Sequence, residues 1–118
     1  MRVLVFRLTR RPALDRDLKL RSQTEDAIDS VCRNIAEGFG CRSHVEFARF
    51  LEISRRSLNE VMDCLRSAQI KEYVTPADLE PIRKLASRFY PAISRLMAYL
   101  RRTPNPTDQR SRDRTDKR

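Results

Sequence analysis

Two long apolar stripes of helical period constrain this chain more than any other feature. From Ser43 onward, Phe47, Leu51, Ser54, Leu58, Val61, Leu65 and Ala68 are spaced alternately by four and three. That is the period of a helix burying one stripe and wetting the rest. Ser43 and Glu46 form a capping-box pair at its start, the hydroxyl and the carboxylate each meeting a backbone amide that the first turn leaves unbonded. A second series runs through Leu79, Ile82, Ala86, Phe89, Ile93, Leu96 and Leu100, behind Thr75 as cap, Pro76 at the first helical position and Asp78 in the first turn. Pro81 falls near that first turn. Pro91 lies inside the pattern, where it removes the hydrogen bond to the carbonyl of Ser87 and predicts a kink.

Upstream, Ala27, Ile28, Val31 and Ile35 mark a further helix from roughly Asp17 to Glu37. The short run Val3, Leu4, Phe6 and Leu8 ends at Pro12 and reads as helix or strand by period alone, with helix preferred in this setting. Gly38 stands where a helix ending in Asn-Ile-Ala-Glu takes a left-handed residue, and Gly40 frees the chain to reverse before Ser43. The result is an antiparallel helical hairpin.

Composition agrees with an all-α fold of one domain. The 118 residues are 40% hydrophobic and 35% charged, with only two glycines and no tryptophan, too few turn formers for a sandwich or barrel. Apolar residues give out after Leu100, so residues 1–100 are the folded domain and 101–118 a disordered basic tail. The formal charge of +9 makes an anionic partner plausible without naming it. Three cysteines, Cys32, Cys41 and Cys64, form no C-x-x-C pair and fit a reducing cytoplasm. The apolar run before Arg7 is too short for a signal-peptide core or a membrane span.

Several chemistries are excluded by what their sites require. Gly38-Phe39-Gly40 has neither the preceding strand nor the following Lys-Ser/Thr of a phosphate-cradling loop. Cys41 and His44 have ligand spacing but lack organised companions, so no metal is expected. Glu37, Glu46 and Glu60 lack the Glu-x-x-His repeats of a di-iron site. With one histidine and no nucleophile-base pair, neither an enzyme nor a cofactor is expected.

The arginines carry more pattern. Arg42, Arg49 and Arg56 recur every seven residues opposite the first stripe, and Arg88, Arg95 and Arg102 recur likewise off the second. Steps of roughly 10 Å along each helix could track a phosphate backbone. The plainer reading is a solvated face, because Glu46 lies four residues from Arg42, and Glu52 and Glu60 each lie four from Arg56.

The motifs NIAEGFG, S-x-x-EF-x-x-FL-x-I and SLNE resemble the small bacterial four-helix-bundle proteins named for intervening sequences in large-subunit ribosomal RNA genes. The resemblance spans about Leu4 to Leu100 and includes Asn34, Glu37, Gly38, Ser43, Glu46, Ser57 and Glu60. It implies an antiparallel up-and-down four-helix bundle that assembles as a homopentamer. Through the related accessory proteins of diversity-generating retroelements, it also implies RNA and a reverse transcriptase as partners, and no catalysis. In that frame Asn34 and Glu37 are the polar part of the hairpin, expected to satisfy freed backbone groups of the turn or to meet arginines across an interface. The first helix is short for the family. Either translation starts further upstream, or the core is completed by oligomerisation through Val3, Leu4, Phe6 and Leu8. The alternative function is a purely structural protein-protein scaffold that binds no nucleic acid.

Overall fold

A computed structural model describes residues 1–103 of the chain. Most of the tail expected after Leu100 therefore lies outside the described residues. Five helices follow one another: α1 (Arg2–Thr9), α2 (Pro12–Arg16), α3 (Leu18–Gly40), α4 (His44–Ile70) and α5 (Pro76–Arg102). No strand occurs among the described residues.

Side chains cap the starts of α3, α4 and α5. The Asp17 carboxylate accepts from the Leu20 amide at 3.2 Å and caps α3. Thr75 and Asp78 close a complete capping box around Pro76 at the head of α5. At α4 only half of the expected box forms among the described residues: Ser43 Oγ accepts from the Glu46 amide at 3.4 Å. Helix α5 continues through Pro81 and Pro91. Pro91 and Ser87 are both exposed, so the carbonyl that Pro91 leaves unbonded lies on the solvent side.

Pairings along the helices set their directions. Ser30 meets Ser57 and Val31 meets Ser54, so α3 and α4 are antiparallel. Arg83 reaches Gln69, Tyr90 reaches Asn59 and Arg55 reaches Ser94, so α4 and α5 are antiparallel too. Helix α1 runs against α3, its two ends tied by Arg2 to Asp29 and by Arg10 to Glu25.

Because α1 is short, the core has two parts. Toward the α4–α5 turn, Val5 and Leu8 of α1 and Leu14 of α2 join Ile28, Leu58, Leu65 and Ile82 in one cluster. A fully buried leucine such as Leu14 or Leu58 contributes about 1.5–3 kcal/mol. At the other end, where α3 hands over to α4, the buried members are Ala48, Leu51, Ile93, Met97 and Leu100, all from α4 and α5. Ile35, Phe47, Phe89 and Leu96 border that second cluster and are only partly buried.

The glycines differ from expectation. Neither has a positive φ, and both belong to α3. Gly38 is required by space: a Cβ there would lie 2.6 Å from Cδ2 of Phe47 and 3.4 Å from Cβ of Phe50. Gly40 has nothing within 4 Å of the same position. The left-handed residue occurs at the other turn, where Glu72 has φ 63°. Its amide bonds to Gln69 O, and the Tyr73 amide bonds to Ala68 O, the Schellman pattern that closes α4.

Candidate nucleic-acid interface

Backbone periodicity presents the six ridge arginines as the sequence predicts. Arg42, Arg49 and Arg56 at and along α4, and Arg88, Arg95 and Arg102 on α5, are all exposed. Arg102 continues α5 as a helical residue, one step inside the C-cap at Thr103, where a cation also complements the carbonyl end of the helix.

Among the described residues, the ion pairs that would neutralise these ridges are mostly not made. Of the three pairings allowed by spacing, one forms: Arg56 Nε lies 3.6 Å from Glu52 Oε1. Among the described residues, none of the other five ridge arginines forms an ion pair. Glu52 instead gathers cations at the α4–α5 seam. Arg55 Nη2 donates to it at 2.7 Å and Arg101 Nη2 approaches to 3.8 Å. The hydrogen bond from Arg55, with the charges of Arg55, Arg56 and Arg101, holds the Glu52 carboxyl below its ordinary range.

Arg55 and Arg101 are cations that the heptad spacing missed, since each immediately precedes a ridge residue. One residue is a rotation of roughly 100°, so the ridges stand outward of the seam that Arg55 and Arg101 occupy. Val45, Ala48, Arg49, Glu52 and Arg101 line a shallow cleft there. Phosphate can meet guanidinium on either side, while the single carboxylate is already engaged.

Of the other residues singled out by the sequence, Asn34 and Ser57 are buried between helices, whereas Glu37, Glu46 and Glu60 are exposed. Asn34 is buried, and its amide donates to Ser30 O at 2.8 Å and Ser30 Oγ at 3.1 Å. Ser57 Oγ lies 2.7 Å from Ser30 Oγ, and Ser54 Oγ donates to Val31 O at 2.9 Å. These small polar groups form a seam that lets α3 and α4 approach closely while their hydrogen bonds are met. Asn34 thus ties into α3 itself, against the expectation that it supports the turn. The Glu37 side chain is exposed, and the Glu37 contribution to the turn is its backbone carbonyl, which accepts from Cys41 Sγ at 3.4 Å. Glu46 and Glu60 are exposed on α4. Burial first, then the charges of Glu46 and Glu37, push the Cys41 thiol up, away from thiolate chemistry. His44 Nδ1 lies 3.1 Å from Thr103 O, a carbonyl to which an Nδ1–H can donate.

The sequence model of the family described as 23S rRNA-intervening sequence protein matches residues 1–95. The chain belongs to that family. The match takes in α1 to α4 and most of α5, so this intervening-sequence protein carries both arginine ridges, except Arg102, within the matched region. No curated protein and no solved structure matches the chain. Among the described residues, no helix is long and apolar enough to cross a membrane.

Proposed function

We propose that this intervening-sequence protein is a non-enzymatic, homo-oligomeric helical adaptor that holds RNA or another polyanion against the arginine faces of α4 and α5. Its helices form an antiparallel four-helix bundle in which α1 and α2 supply one short member. A reverse transcriptase is the protein partner to test, on the resemblance to retroelement accessory proteins.

The observation that carries this reading is that five of the six ridge arginines are exposed and, among the described residues, form no ion pair. An arginine face serving only solubility gains from neighbouring carboxylates at helical spacing, and here the offered Glu46 and Glu60 are not taken. Replacing Arg42, Arg49 and Arg56 together with glutamine tests it. Affinity for structured RNA should fall similarly across unrelated sequences, and its salt dependence should flatten, because backbone contacts release counterions without reading bases. The same substitutions belong in a chain ending at Thr103, since the residues beyond it are basic and attract polyanions without the ridge. Equal binding with and without the three arginines in that shortened chain defeats the reading.

A structural scaffold that binds only protein is the second reading, favoured by Val3 and Leu18, which are 59% and 70% exposed on α1 and α3. Partly buried Phe6 and exposed Leu18 line one shallow cleft with Asp26 and Asp29. An apolar contact of this kind is insensitive to salt, which separates it from the arginine ridges.

A further inference from the structure

The end of the molecule at the α3–α4 turn has a feature that the arginine ridges leave unexplained. Phe39, next to last in α3, is 70% exposed, and Tyr99, in the last turns of α5, is 48% exposed. Each ring is braced by another: Phe39 against Phe47 with centroids 5.0 Å apart, Tyr99 against His44 at 6.3 Å. The antiparallel order of α3, α4 and α5 brings both braced rings to the same end, beside the exposed Arg42 and Arg102. Short α1 does not reach this end, because its first turn is already tied to Asp29 of α3.

Two exposed, held aromatic rings beside arginines that form no ion pair among the described residues suit one class of ligand. We infer that this end binds unpaired nucleotides of a single-stranded nucleic acid, with bases stacking on Phe39 and Tyr99 and phosphates meeting Arg42 and Arg102. A base in a duplex is already stacked on its neighbours and cannot reach a protein ring, whereas a splayed-out base can. Stacking is tolerant of sequence, since every base has a π-face, and arginines beside the rings supply the charge that tracks the backbone. A second copy of this chain is the poorer occupant, because the patch would bring like-charged arginines together on a chain of net charge +9.

This inference rests on the polyanion reading above and is separable from it. The experiment measures the anisotropy of a short labelled oligoadenylate and of a blunt RNA duplex on the full chain, with and without Phe39→Leu and Tyr99→Leu. The expected result is a loss of roughly tenfold per ring for the oligoadenylate, with duplex affinity unchanged. Equal losses on both probes, or none, overturn the inference while leaving the ridge reading in place. Failure of wild type to bind either probe overturns both. Phe39→Trp and Tyr99→Trp guard against a folding artefact: each should retain oligoadenylate affinity, and each adds the only tryptophan to a chain that has none, so its emission should be quenched by the oligoadenylate. An unquenched tryptophan overturns the inference. So does a light-scattering mass that drops in the double leucine variant, which would assign this end to self-association.

Discussion

Gly38 and Gly40 are two residues apart, yet they answer to different constraints. The Cβ that alanine would add at Gly38 falls 2.6 Å from the Phe47 ring, which is held between Phe39 and the second core cluster. Gly38→Ala should therefore destabilise by about 1–3 kcal/mol as that ring is displaced. Gly40→Ala meets nothing within 4 Å in a helical segment and should be neutral or stabilise by up to about 1 kcal/mol. Urea melts of the two variants check both, and adding Phe47→Leu to Gly38→Ala should recover part of the loss if the clash is the cause. Glu72 is the opposite case, a residue with a side chain at φ 63° where glycine rests without strain. Glu72→Gly should raise stability by roughly 0.5–1 kcal/mol, and an unchanged or lower melting temperature would show that the Glu72 side chain contributes more than its backbone costs.

Between elements, the junction of α2 and α3 is braced to the α4–α5 turn through a single carboxylate. Asp17 Oδ2 accepts from Lys71 Nζ at 3.0 Å and from the Tyr73 hydroxyl at 3.1 Å, while Oδ1 caps α3. The Lys71 hydrogen bond first, then the Leu20 amide, holds the Asp17 carboxyl below its ordinary range. The sign follows from linkage. A carboxyl whose folded pKa is depressed contributes stability that is present above the unfolded value, near 3.9 for aspartate, and is lost as pH falls through the folded value. Asp17→Asn should lower stability at neutral pH and reduce its dependence on pH in the acid range; melts from neutral to acid pH would read this as two curves converging. The acid limb will not vanish, since Asp78 and Glu52 are also held low, Asp78 chiefly by the Thr75 amide and Glu52 by Arg55.

At the scale of the whole molecule, α1 covers only the half of the structure toward the α4–α5 turn, and apolar residues remain accessible on both halves. We predict that the full chain self-associates through the side bearing Val3, Phe6 and Leu18, with a pentamer the expected form. Light scattering at micromolar concentration should return a multiple of the chain mass of 13.9 kDa. Val3→Ser with Leu18→Ser should shift that mass toward one chain without disturbing Val5, Leu8 or Leu14, which point inward. A single-chain mass for the unmodified protein would defeat the assembly and leave the arginine ridges to act on one copy.

The courses of α4 and α5, the Thr75 cap and the outward placement of the arginines were legible in the linear order of residues, because each depends on neighbours three or four positions away. The Thr75–Asp78 box, the buried stripe from Leu51 to Ala68 and the exposure of Arg49 and Arg95 are of this kind. Helix α2 and the extension of α3 to Gly40 were not legible in this way. Family membership was legible for the same reason, as NIAEGFG and SLNE are contiguous. What needed tertiary structure was every choice between partners distant along the chain. Glu52, offered Arg56 by spacing, also takes Arg55 and is approached by Arg101 from α5. Asn34 and Ser57, far apart in sequence, share Ser30 in one seam. Gly38 looked like a conformational need and is a need for space, set by a phenylalanine on the next helix. Period and capping are properties of one helix, whereas packing and ion pairing depend on which helix lies alongside and at what register.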